Sequence, residues 1–300
     1  MRLAPIVLFV YRRPFHTTAT LASLLSNPEA KYSDLIVFSD GPKILEHKES
    51  VAEVRRVVNS INGFRSLRVV ERDRNFGLAE NIVQGVSETV AEYGKVIVIE
   101  DDLVFSPAFL SYMNSGLSLY SDTPRVASIH AYCYPVRSNL PDTFFLRGAD
   151  CWGWATWNRA WVKFRANGSE LLSELQDRQL TKEFDLNGAM SFTGMLRDQI
   201  DGKNDSWAVR WHATCFLADL LTLYPGKTLV KNIGLDGSGT HCGETDRFYG
   251  ELLQSNPCKS LVKVEENMEA KRAIAEFLRG RSRPSFSARI RKAIKSFFRI

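Results

Sequence analysis

Four short apolar runs, alternating with helix-like stretches, constrain this chain more than any other feature. The runs lie at residues 4–11, 35–38, 67–71 and 95–99, and helical patterning fills 16–25, 49–60 and 77–92. The turn Ser39-Asp40-Gly41-Pro42 closes the second run. The fourth, Lys95-Val96-Ile97-Val98-Ile99, is β-branched and unbroken, as expected of a strand buried on both faces. A β-α-β-α-β-α-β order predicts an α/β fold, with a mostly parallel sheet wrapped by helices. A helix is expected from Pro107 to about Tyr120 and a strand over 126–130.

Glu100-Asp101-Asp102 follows the fourth run directly. Three consecutive carboxylates do not stay inside an apolar core without partners. Their place is the C-terminal end of the strand, where open α/β sheets bind ligands. Oxygen ligands there suit Mg2+ or Mn2+, and those ions suit a diphosphate. An acidic turn that caps the next helix is the plainer reading of the same triplet. Parallel strands bring all their C-terminal ends to one edge, so Arg12, Arg13, Asp40 and Asn75 are expected to converge there with the triplet. An Arg neutralises phosphate, and an Asp accepts a base N–H. Taken singly, each of these residues also fits a cap or a turn.

The chain has 300 residues, 44% of them hydrophobic, which suffices for one large α/β domain or two small ones. No GxGxxG follows the first run and no Walker loop is present, so dinucleotide and P-loop chemistry lose their usual signatures. The five cysteines show no CxxC spacing, which reads as reduced thiols and a cytoplasmic setting. No stretch approaches the ~20 apolar residues of a membrane span. The net charge of +5 is concentrated at the C-terminus: residues 279–300 hold eight Lys or Arg and no acid, leaving 31 basic against 34 acidic residues elsewhere. The body therefore offers no argument for nucleic acid.

The second half is less regular and holds all six tryptophans. Trp154, Trp157 and Trp161 are spaced for one helix face, and Trp157 and Trp161 are read as core. Trp152, in Gly148-Ala149-Asp150-Cys151-Trp152-Gly153-Trp154, is the ligand-facing candidate. Glycines let a backbone approach a ligand closely, and an indole offers a flat apolar face with a donor at its edge.

With these residues in view, the chain resembles the GT-A fold glycosyltransferases, and among them the N-acetylglucosaminyltransferase I type. The resemblance rests on Glu100-Asp101-Asp102-Leu103 with Pro107 after it, on Pro5–Val10 followed by Arg13, and on Leu35–Asp40. It extends weakly through 144–161 and 205–241. It implies a nucleotide-sugar donor, UDP-linked by preference, and Mn2+ or Mg2+ held by Asp102. Glu100 and Asp101 would contact the donor ribose and sugar, Asp40 the base, and Arg13 the nucleotide. Asp205, two residues before Trp207, matches the family's catalytic base and implies inversion; partial burial beside Trp207 would keep it basic. A helix N-cap is the competing role for Asp205. His241, ending the loop that begins at Asp236, matches a late His on metal or diphosphate, against a purely structural His.

The expected organisation is one GT-A-like domain over 1–278, with a nucleotide-sugar-binding half (1–125) and an acceptor half (126–278), then a basic amphipathic tail (279–300). Ile290, Ala293, Ile294, Phe297 and Phe298 recur at helical spacing among basic residues. Such a helix, 286–300, fits an anionic membrane surface, the inner face of the cell membrane, and a saccharide or lipid-linked acceptor. A helix packed on the body is the other reading. The QxxRW segment of processive synthases is missing. Two other classes compete: a sugar-nucleotide nucleotidyltransferase, disfavoured because Tyr11-Arg12-Arg13-Pro14 lacks a glycine-rich signature, and a non-catalytic saccharide or membrane adaptor, disfavoured by the intact triplet.

Overall fold

The computed structural model describes residues 2–236 and 245–280. The first half follows the expected alternation: β1 (Ile6–Val10), α1 (Pro14–Leu25), β2 (Asp34–Ser39), α2 (Lys48–Ser60), β3 (Ser66–Glu71), α3 (Leu78–Tyr93) and β4 (Lys95–Glu100). Pro14 opens α1, its fixed φ suiting the first helical position. Gly94 closes α3 at φ 76°, a left-handed cap that frees the chain to enter β4 at once. β5 (Leu103–Phe105), α4 (Phe109–Leu119) and β6 (Val126–His130) follow.

The second half is more regular than its sequence suggests. It contains β7 (Thr143–Arg147), β8 (Trp154–Trp157), α5 (Asn158–Trp161), α6 (Gly168–Asp177), α7 (Thr181–Phe184), α8 (Phe192–Ile200), α9 (Trp207–Leu217), β9 (Leu221–Pro225), β10 (Val230–Asn232) and α10 (Met268–Arg279).

Eight strands form one sheet in the order β3-β2-β1-β4-β8-β6-β9-β7. β3, β2, β1 and β4 are parallel; β8 is inserted antiparallel to both β4 and β6; β6 and β9 are parallel, and β7 is antiparallel to β9. The C-terminal ends of β1, β4, β6 and β9 therefore share one edge. β5 and β10 form a separate antiparallel pair beside it. Alternate residues of β1 and β4 serve two cores. Ile6, Leu8, Ile97 and Ile99 pack toward α1, α2 and α4, while Val7, Phe9, Val96 and Val98 pack toward α3 and a tryptophan cluster. Burial on both faces explains why these runs show no period of two.

The helical stripe through Trp154 and Trp157 is corrected: both lie on strand β8, in different cores. Trp154 joins Trp161, Trp207 and Trp211, and Trp157 joins the α4 side. Of Trp154, Trp157 and Trp161, only Trp161 sits on a helix. Four buried residues in a row carry no periodicity that separates strand from helix. The tail helix at 286–300 and His241 lie outside the described residues. The last described helix is α10, which packs Ala270, Ile274 and Leu278 with Phe144 and Tyr224. Among the described residues, no helix is long and apolar enough to cross a membrane, and Cys133, Cys215 and Cys258 are free thiols.

Candidate active site

The acidic triplet occupies the turn between β4 and β5, where the chain leaves the large sheet for the small one. Its carboxylates are not equivalent. Asp101 is turned inward and 4% exposed. Its Oδ1 accepts from Arg13 Nη2 at 2.6 Å, its Oδ2 from the Tyr11 amide at 3.4 Å, and its carbonyl from the Thr20 hydroxyl at 2.8 Å. Asp102 presents an 18% exposed side chain and takes Arg13 Nη2 at 3.0 Å. Glu100, the last residue of β4, is half-buried.

One guanidinium thus faces three carboxylates. Burial, and then repulsion from Asp102 and Asp101, pushes the Glu100 carboxyl up to about 8, against the opposing pull of Arg13. Asp101 is pushed up to about 6, again by burial first, with Arg13 pulling it down and Asp102 pushing it up. Burial works against the charge on Arg13, but Asp101 and Asp102 outweigh it and raise that group further. Arg13 rather than Arg12 is the residue of this site; Arg12 is exposed.

Asp40 and Asn75, expected at the ligand, are engaged within the protein. Asp40, 5% exposed, accepts four hydrogen bonds: Gly41 N at 2.9 Å and Phe76 N at 2.8 Å on Oδ1, Asn75 Nδ2 at 2.9 Å and Gly77 N at 3.0 Å on Oδ2. A carboxylate has about four acceptor positions, so Asp40 has none left for a nucleobase. Asn75 donates to Asp40 and to the Gly41 carbonyl at 2.8 Å, which consumes its amide protons. These two residues weld the loop after β2 to the loop before α3. Gly41 is required at the weld, because a Cβ there would come within 2.5 Å of the Arg74 backbone. The Asp101 carboxylate is likewise engaged, holding Arg13 and the residue after β1.

Asp205 lies two residues before Trp207, the first residue of α9. Trp207 stacks on Trp154 at 5.4 Å, and Trp154 lies opposite Val98 and His130, near the C-terminal ends of β4 and β6. The expected burial of Asp205 is corrected: its side chain is 68% exposed and meets Arg210 at 3.3 Å. The N-cap of α9 is its neighbour, Ser206, whose hydroxyl accepts from Val209 N. Trp152 is half-buried, with its ring 4.8 Å from Tyr132 and 6.0 Å from Phe248.

Comparisons with known proteins touch the fold in outline. No protein-family model matches the sequence, and no curated protein does. Partial likenesses to solved structures exist. One is the mannosyltransferase PcManGT from Pyrobaculum calidifontis in complex with GDP-Man and Mn2+, 15% identical over 45% of this chain and 36% of that one, with a TM-score of 0.35. S. aureus TarS is 15% identical over 49% of this chain and 24% of its own, with a TM-score of 0.31. The TarS 1–349 structure is 13% identical over 59% and 49%, with a TM-score of 0.33. The chain thus spans less than half the length of each. The functional reading rests on the site itself.

Several residues of this site escape a reading by motif. His130 is fully buried at the end of β6; its Nε2 accepts the Trp152 amide at 3.1 Å and lies 4.0 Å from Asp150 Oδ1. That acceptor role puts the ring proton on Nδ1, and burial lowers the ring's affinity for a second proton, with Asp150 opposing. His16 Nε2 meets Asp236 Oδ2 at 3.3 Å, joining the first turn of α1 to the segment after β10. Gly234 lies against Asp102, where an added Cβ would meet Oδ2 at 2.4 Å. The one available signal was a glycine two residues before an aspartate in Ile233-Gly234-Leu235-Asp236. Gly234→Ala is therefore expected to displace the Asp102 carboxylate. Mn2+ affinity in the presence of a nucleoside diphosphate, read by titration calorimetry, should fall about 10–100-fold with little change in melting temperature. Unchanged affinity would show that this close approach does not matter to Asp102.

The donor set bears on which metal site is feasible. Among the described residues, no group of three or more His, Cys, Asp or Glu side chains converges as ligands. Asp102 is the carboxylate of the triplet that combines exposure with a position beside the β10 segment. One carboxylate on an over-acidic edge fits Mg2+ or Mn2+ completed by phosphate oxygens and water, not a closed protein cage.

Proposed function

We propose that this chain is a metal-dependent glycosyltransferase that moves a hexosyl or N-acetylhexosaminyl group from a nucleoside-diphosphate donor, UDP-linked by preference, to a hydroxyl of a saccharide or lipid-linked saccharide. The observation that carries this reading is the carboxylate cluster at the C-terminal edge of β4, with Asp102 at its outer face and a cation, Arg13, already beside it. Asp102 would hold the divalent ion, which when bound supplies positive charge against the leaving diphosphate. Arg13 adds a fixed charge at the same place, and Glu100 would contact the donor's ribose and sugar.

The acceptor oxygen attacks the anomeric carbon, the bond from that carbon to the diphosphate oxygen breaks, and the acceptor's proton goes to Asp205. Attack opposite the leaving group inverts the anomeric centre. Exposure of Asp205 suits a group that must meet an incoming acceptor, and Trp152 lies along the same edge as an apolar face for the sugar.

The test is incubation with a panel of nucleotide-sugars with and without Mn2+. Release of nucleoside diphosphate that vanishes with chelator supports the reading, and pyrophosphate-dependent chemistry would replace it with a nucleotidyltransferase. With the donor in hand, Asp205→Asn is expected to lower acceptor-dependent turnover about 10²–10⁴-fold while donor binding stays within a few-fold. Retention of the donor's anomeric configuration in the product would remove Asp205 from the role of base.

A further inference from the structure

A cavity of about 470 Å3 opens at the sheet edge on the side away from β1, walled by the segment after β6, the turn after β9 and residues 250–257. We propose that it is a second saccharide site, taking a neutral sugar ring of the acceptor chain remote from the hydroxyl that reacts; this rests on the transferase reading of the acidic edge.

The lining selects the ligand class. Tyr134, Pro135 and Leu140 give it apolar faces, and Asn139, Asp142 and Lys227 are among its polar groups, with Glu251 completing the wall. Acceptor-only carboxylates, a donor-only ammonium and an amide that does both match a ligand whose every polar group is a hydroxyl. Two carboxylates against one Lys disfavour a phosphate or a sialic-type acid, and the polar wall disfavours a hydrocarbon tail. The volume lies within the range of small-ligand pockets.

Its position joins it to the acidic edge in two ways. The segment that contains β10 runs from the cavity wall at Thr228 to Gly234 against Asp102. At strand rise and strand spacing, the two sites lie roughly 10–20 Å apart, a separation that an oligosaccharide bridges and a monosaccharide does not. An aromatic path also connects them: Trp152 meets Tyr132 at 4.8 Å, and Tyr132 meets Tyr134, in the cavity wall, at 5.1 Å. The path is rigid underneath, since the Tyr132 hydroxyl donates to the Phe248 carbonyl at 2.9 Å. Acceptors of two or more sugars should therefore be preferred over single sugars.

The experiment applies the full chain to an array of immobilised neutral mono- and oligosaccharides. It includes Asn139→Ala and Lys227→Ala, both at exposed rim positions, with Asp102→Asn alongside. The expected result is retention on a subset of oligosaccharides, at least ten-fold weaker for each rim variant and unchanged for Asp102→Asn. Equal melting temperatures confirm that the rim variants fold. Retention on no saccharide, or retention that the rim variants leave intact, overturns the proposal. Manganese-dependent nucleotide-sugar hydrolysis by the parent is measured separately, so loss of this site and loss of the transferase reading are told apart.

Discussion

Asp102→Asn is expected to lower manganese-dependent release of nucleoside diphosphate by about 10²–10³-fold while leaving the melting temperature nearly unchanged. The substitution keeps the side chain's size and one oxygen, so the approach of Gly234 is preserved. It removes the negative charge that a divalent ion needs at the outer face of the cluster. Stability is spared because Arg13 retains its 2.6 Å bond to Asp101, and because Asp102 is partly solvated. Fewer like charges at the edge also relieve Glu100 and Asp101, both of which Asp102 pushes upward. A stopped assay of diphosphate release at several Mn2+ concentrations reads the effect. Full activity in the variant, with the same Mn2+ dependence, would place the metal elsewhere and undo the proposed function.

Asp40→Ala has the largest expected effect on stability. Four donors lose their acceptor at once, and three of them are backbone amides in tight loops. Hydrogen bonds to a charged group contribute about 1.5–3 kcal/mol each, and they do not add in a cluster, so a net loss of about 3 kcal/mol or more is expected. In a protein of this size that corresponds to a melting temperature lower by roughly 5–10 °C. Asp40→Asn should fall between parent and Ala, since its amide nitrogen cannot accept from two of the four donors. Thermal denaturation followed by circular dichroism separates this role from base recognition. An unchanged melting temperature together with weakened donor binding would return Asp40 to the nucleotide.

Both variants bear on what the sequence disclosed. Glu100-Asp101-Asp102 was visible as a unit because a β-branched run ending in three carboxylates has few places to go. What the run does not encode is which way each carboxyl turns. The Asp101 carboxyl faces inward because Arg13 and Tyr11 reach it from 88 and 90 residues away in the chain. Asp40 looked like a ligand contact for a similar reason: its partners Phe76 and Gly77 lie more than 35 residues on. The tryptophan segment misled because spacing of three and four suits a helix, while β8 is a central strand buried on both sides. Asp205 does not have its expected burial, since Ser206 takes the cap and leaves Asp205 to solvent.

The amino-acid sequence by itself determined the strand–helix alternation of the first half, the parallel sense of its sheet and the location of the acidic edge, because these follow from local patterning and from the rule that parallel strands end together. Only the tertiary structure decided the antiparallel entry of β8 between β4 and β6, the pairing of β5 with β10 that brings Gly234 to Asp102, and the division of polar residues into those that hold loops and those that face the crevice. Hydrogen-bond acceptors are finite, and which donors claim them is fixed by contacts distant in the chain.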